Sequence, residues 1–244
     1  MRKACAISAA ALKAGGEAIE PGITTAEIDK IIYDFIVRHG ARPNFLHLYG
    51  FPATACISVN DTVIHGIPNK QQQIRPGDIV SIDTGCKIDG FNGDNACTYA
   101  CGKIDLEAQR LLDVTKESLH RGIEMACGGN RVGDIGHAVQ SYVEENGFSV
   151  VRTFVGHGVG KELHEDPEVP NFGNAGRGPR LVPGMCIAVE PMVCQYKYAE
   201  DAEDGWTVKT CDGGLAAHFE HTMAITTAGA EVLTHGWEEP GWTL

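Results

Sequence analysis

Long apolar runs are missing from this sequence of 244 residues. None approaches the roughly 20 residues that an α-helical membrane span requires, so no membrane partner is expected. Positive charge is also scarce. Twenty Lys and Arg stand against 32 Asp and Glu, a formal net charge of −12, whereas a nucleic-acid-binding face must neutralise phosphates. No C-x-x-C pair occurs among nine cysteines, an odd number in a chain too long to need disulfide staples. Reduced, mostly buried thiols and a cytoplasmic location are the expectation. No low-complexity linker divides the chain, so residues 1–244 are read as one domain. What remains is ordinary for a globular protein, 43% hydrophobic and 21% charged. The start, Met1-Arg2-Lys3 before an apolar Ala4 to Leu12, imitates a signal peptide only faintly. It is short, Ala-rich and followed by Lys13, which predicts an amphipathic helix.

The chain repeats itself. A shift of 107 residues lays Leu12 on Leu119, Gly15 on Gly122, Gly22 on Gly129, Ile28 on Ile135, Gly40 on Gly147 and Pro76-Gly77 on Pro183-Gly184. This spacing predicts two halves, about 1–107 and 108–244, each reading helix, Gly break, helix, then strands. In the second helix of the first half Ile28, Ile31, Ile32, Phe35 and Ile36 keep the helical period. Strands are predicted at 55–59, 78–82, 96–100, 150–154, 186–189 and 222–226. The fold class is α+β, with helices laid over a mainly antiparallel sheet.

The same shift sets Asp83 on Glu190, each ending an apolar strand-like run: Val80-Ser81-Ile82-Asp83 and Ile187-Ala188-Val189-Glu190. A carboxylate there is costly unless it is paired, hydrogen-bonded or bound to a metal. Asp89-Gly90 is a two-residue hairpin signal. It places Gly85 opposite Asp94 and makes Asp83 and Asp94 diagonal neighbours roughly 7–8 Å apart, within reach of one ion. The second half offers a matching acid in Phe219-Glu220-His221. The remaining obvious ligand is His157, held between glycines in Gly156-His157-Gly158-Val159-Gly160. Four carboxylates and one neutral imidazole carry −4, which two divalent cations would cancel. Without cations these carboxylates would repel one another and take up protons.

With His65-Gly66-Ile67-Pro68, His164-Glu165-x-Pro167, Glu190-Pro191-Met192 and Asp204-Gly205-Trp206-Thr207 in order along the chain, these segments resemble the type I methionine aminopeptidases of the pita-bread fold. The resemblance covers nearly the whole chain. It implies two pseudo-symmetric halves with helices packed over a curved sheet. It also implies removal of initiator methionine from nascent proteins and peptides whose second residue is small. By this resemblance Asp83, Asp94, His157, Glu190 and Glu220 ligate two divalent ions (Co, Mn, Fe or Zn), and Asp94 and Glu220 bridge them. Glu190 acts as general base, while His65 and His164 are catalytic substrate contacts outside the ligand set. Phe45, Phe51, Cys56, Leu163 and Trp206 are candidates for the methionine pocket. The sequence departs from many relatives at Leu48-Tyr49-Gly50-Phe51-Pro52, Leu163 and Asn92. Nascent chains beginning with Met are the expected partners, the protein acts as a monomer, and ribosome docking stays open.

Two other readings compete. Proline-specific peptidases share the five ligands, but Glu190-Pro191-Met192 and the Asp-Gly-Trp-Thr loop favour the methionine enzymes. A non-catalytic binding module of the same fold would be expected to have lost ligands, and all five are present.

Overall fold

The Ala-rich start of the chain becomes a helix whose buried face, Ala4, Ser8, Ala11, Leu12 and Gly15, meets the sheet. A computed structural model of the chain describes residues 1–196, 199–201 and 204–236, with only the backbone described at 199–201; the end of the second predicted half, 237–244, lies outside the described residues. The helices are α1 (Arg2–Glu17), α2 (Thr25–Arg38), α3 (Leu106–Met125) and α4 (Val132–Glu145). The strands are β1 (Arg42–Pro43), β2 (Ala55–Val59), β3 (Thr62–Ile64), β4 (Ile79–Ile88), β5 (Phe91–Ala100), β6 (Ser149–Val150), β7 (Gly156–Gly158), β8 (Glu165–Val169), β9 (Cys186–Val189), β10 (Met192–Cys194), β11 (Ala199–Asp201), β12 (Val208–Thr210), β13 (Ala216–His218), β14 (Glu220–Thr226) and β15 (Gly229–Val232).

The starts of α2, α3 and α4 each have a chemical reason. Thr24 caps α2 reciprocally with Glu27: the Glu27 N–H donates to Thr24 Oγ1 at 3.2 Å and the Thr24 N–H to Glu27 Oε2 at 2.9 Å. Asp105 caps α3 by accepting from the Ala108 N–H at 2.7 Å. At α4 the Arg131 N–H donates to Asp134 Oδ2, also at 2.7 Å.

The main sheet runs β1-β4-β5-β14-β9-β7-β8, with β2 added on β4 and β15 on β14. Its pairs are antiparallel, and the helices pack against its curved surface. The core repeats like the sequence. Leu12, Ile28, Ile32, Ile36 and Ile82 are fully buried in one half, and Leu119, Ile135, Val139, Val143 and Val189 in the other. Each side chain contributes about 1.5–3 kcal/mol of burial. A Cβ on Gly15 would meet Ile32 and Ile82, and one on Gly122 would meet Val139 and Val189, so both glycines permit the same close packing of helix on helix and sheet. Isolated bridges Thr24↔Gln73 and Arg131↔Arg180 are likewise 107 residues apart (24 to 131, 73 to 180).

The predicted strands at 55–59 and 186–189 have their observed bounds. That at 78–82 begins one residue ahead of a strand that runs on to Ile88, and those at 96–100 and 222–226 are the ends of longer strands. The strand predicted at 150–154 is corrected to Ser149–Val150. The last bond to β10 is that of the Val151 N–H to the Met192 carbonyl oxygen at 3.0 Å, and beyond it the chain turns toward the cleft that Phe154 lines.

Candidate metal centre

Asp89 and Gly90 both adopt left-handed backbone, φ +52° and +83°, the geometry of a two-residue turn that matches strand twist. The hairpin register follows from it: Gly85 faces Asp94 and Asp83 faces Ala96. Asp83 and Asp94 therefore project from one face, as the sequence predicts. On the other edge of β5, Glu220 also faces Ala96. The residue between Asp83 and Glu220 is thus an alanine, whose methyl leaves room above it.

Glu190 follows directly after β9, and His157 occupies the middle of β7. Glycines on both sides of His157 let β7 press between its neighbours: a Cβ on Gly156 would lie 2.4 Å from the Ala188 oxygen, and one on Gly158 2.2 Å from that of Asp166. The His157 Nδ1 sits 2.9 Å from the Gly158 carbonyl oxygen. A carbonyl only accepts, so Nδ1 carries the proton and Nε2 presents a lone pair. That nitrogen is 3.6 Å from Glu190 Oε1 and 3.8 Å from Asp94 Oδ2. A lone pair aimed at two carboxylates is repulsive unless a cation or a carboxyl proton lies between them.

Ligand atoms of Asp94, His157 and Glu220 all lie within 4.8 Å of one another. Asp83 and Glu190 line the same cleft but stand outside that tightest group. Burial pushes Asp94 up to about 7. Asp83, Glu190 and Glu220 are pushed well above the carboxylate range, first by burial and then by the charge of Asp94. Asp83 Oδ1, Asp94 Oδ1 and Glu220 Oε1 are buried with no hydrogen-bond partner among the described residues. Burial also lowers His157 to about 4, with His164 adding to the shift, so the imidazole is neutral at pH 7. Unpartnered oxygens and a bare imidazole nitrogen converging in a buried spot form a donor set that fits divalent cations.

The cleft holds about 650 Å³. His164 lies edge-on to His157 with ring centroids 4.5 Å apart. His65 has left-handed backbone, φ +57°, and meets Phe154 edge-on at 5.4 Å. Beside them Phe45, Phe51, Cys56 and Leu163 form a buried apolar cluster, with Leu48, Ile67 and Trp206 packed against it. Trp206 stands edge-on to Phe51 at 5.2 Å. All the residues predicted for the site line this one cleft.

Sequence reasoning missed several neighbours. Phe154, Asp166 and Glu168 also line the cleft, and nothing in their local sequence marks them. Asn92, noted above only as a departure, ties the hairpin to the His157 loop: its Nδ2 donates to the carbonyls of Gly160 and Lys161, both at 3.0 Å. The nine cysteines are all free thiols, six of them buried, and no described helix is long and apolar enough to cross a membrane.

A family model described as metallopeptidase family M24 matches residues 1–227. The methionine aminopeptidase of Clostridium perfringens is 54% identical over 235 residues, which cover 96% of this chain and 94% of that protein. The crystal structure of methionine aminopeptidase from Thermotoga maritima is similar at TM-score 0.95 and 43% identity, covering 97% of this chain and 95% of that one. Prolidase from Pyrococcus furiosus is similar at TM-score 0.74 but only 23% identical, covering 96% of this chain and 62% of that one, a likeness of fold alone.

Proposed function

The chain belongs to metallopeptidase family M24, and we propose from that premise that it removes the amino-terminal methionine from nascent proteins and peptides whose second residue is small. One observation carries this reading. The convergence of Asp94, His157 and Glu220 lies in the same cleft as the apolar cluster of Phe45, Phe51, Cys56 and Leu163. Chemistry for a peptide bond and a socket for a thioether side chain are therefore adjacent.

In this reading Asp83, Asp94, His157, Glu190 and Glu220 hold two divalent cations (cobalt, manganese, iron or zinc). When bound, the cations supply the Lewis acidity that makes water a nucleophile near neutral pH. Glu190 accepts the proton of the attacking water and passes it to the leaving amine. His164, neutral because burial lowers its pKa, donates to the scissile carbonyl and stabilises the oxyanion. His65 contacts the scissile nitrogen. Phe51, Leu163 and Trp206 enclose the methionine side chain, and the space beside the carboxylates restricts the next residue to a small one. The protein acts as a cytoplasmic monomer on chains beginning with Met, and its two halves, about 1–107 and 108–244, form a single catalytic domain.

The test is hydrolysis of Met-Ala-Ser against Ala-Pro-Ala with Mn²⁺ present. Preference for Met-Ala-Ser is expected. Preference for Ala-Pro-Ala would assign the site to proline-specific chemistry instead.

A further inference from the structure

His218 ends β13 and is 2% exposed. Its backbone is clamped by one hydroxyl: the His218 N–H donates to Thr98 Oγ1 at 2.9 Å, and Thr98 Oγ1 lies 2.9 Å from the His218 carbonyl oxygen. Thr98 Oγ1 is in turn 2.8 Å from Ser81 Oγ, deep in the hairpin. The backbone from which the imidazole projects is therefore fixed. Its Nε2 lies 3.7 Å from Glu190 Oε2, a few tenths of an ångström beyond hydrogen-bonding length, and has no hydrogen-bond partner among the described residues.

The two oxygens of Glu190 thus face different groups. Oε1 is directed at His157 Nε2, the metal-ligating side of the proposed centre. Oε2 faces His218. A buried polar atom left unsatisfied costs about 1–3 kcal/mol, and an imidazole that merely filled space could be an apolar residue at no such cost. Carboxylates that ligate metals are themselves commonly held by outer hydrogen bonds, which orient them and set their basicity.

We infer that His218 is a positioning residue for Glu190, its neutral Nε2–H donating to Glu190 Oε2 and so holding Oε1 toward the metal ligands. This rests on the role given to Glu190 under the proposed function. It adds a contact from the strand before β14, so that Glu190 is controlled by the same segment, 216–220, that delivers Glu220.

Three substitutions separate positioning from filling. His218→Gln keeps an amide donor at about the reach of Nε2. His218→Asn is polar but too short, and His218→Leu has similar bulk and no donor. The His218→Leu and His218→Asn proteins are expected to lose about 10–100-fold in kcat on Met-Ala-Ser, in Mn²⁺ affinity by calorimetry on the metal-free protein, or in both. KM should stay within a few-fold, and His218→Gln should recover wild-type values within about threefold. Should His218→Leu fail to fold, His218→Asn supplies the donor-deficient arm. The inference is overturned if a folded donor-deficient variant keeps both kcat and Mn²⁺ affinity, or if His218→Gln is as impaired as they are. A wild-type protein that binds Mn²⁺ but does not cleave Met-Ala-Ser would overturn the proposed function and this inference with it.

Discussion

Asp83 and Glu220, from opposite halves of the chain, face the same residue, Ala96, from its two sides. Asp94 lies two residues along β5 on that same face. The row is compatible with a metal centre only because its middle member is small. Ala96→Leu should place a branched side chain among the carboxylates and abolish Mn²⁺ binding and turnover together. Calorimetry with Mn²⁺ and a Met-Ala-Ser assay check this, and wild-type binding by the variant would contradict it.

The metal-free protein should lose stability as pH rises above 6.5. Asp94, Asp83, Glu190 and Glu220 have folded pKa values above their ordinary range, so the native state binds more protons than the unfolded chain. Each such group contributes a slope of up to about 1.4 kcal/mol per pH unit. Buried His157, His218 and His221 have lowered pKa values and oppose this trend, but only below their unfolded value of about 6.5. Asp94 has spent its share by about pH 7, so the fall in denaturation midpoint that the metal-free protein should show above pH 6.5 comes mainly from Asp83, Glu190 and Glu220, which stand well above the carboxylate range. The fall should be shallower in Glu220→Gln.

Adding divalent ion should reverse that slope, because cations and protons compete for the same oxygens. At a free concentration about 100 times Kd a single site gains about 2.7 kcal/mol. Thermal unfolding with and without Mn²⁺ at pH 8 reads the gain directly. No shift at saturating ion would remove the metal centre from consideration.

His164→Ala should lower kcat by about 10²–10³ through loss of a carbonyl donor. His164 keeps solvent access although the cleft walls desolvate its ring enough to lower its pKa, and it reaches Tyr49 with centroids 6.3 Å apart, so the unfolding temperature should move little. Stopped assays alongside thermal melts separate the two effects.

Much of this centre was legible before any coordinates. Asp89-Gly90 set the register that brings Asp83 beside Asp94, because turn geometry and strand pleat are local rules. The duplicated pattern located Glu190 because helix stops and strand starts recur 107 residues on. His218 was not legible. Its role depends on where β13 lies relative to Glu190, and that pairing joins segments that no local spacing connects. The strand predicted at 150–154 stops early for a related reason: Val150 and Val151 bond along β10, but Phe154 serves the cleft wall and not a ladder. The pocket cluster was recognisable only through family resemblance, since Phe45, Phe51, Cys56 and Leu163 follow no common period.

The halves are stitched across β5 and β14 at Ala96↔Glu220 and Asn95↔His221 and across β3 and β12 at Ile64↔Val208 and Thr62↔Lys209, and the crossover between them passes through exposed Gly102-Lys103. Neither half owns a complete set of ligands. Cutting the backbone at that crossover would convert an intramolecular encounter into a bimolecular one. Turnover would then depend on the concentration of both fragments, vanish on dilution and return on mixing, as in a split reporter.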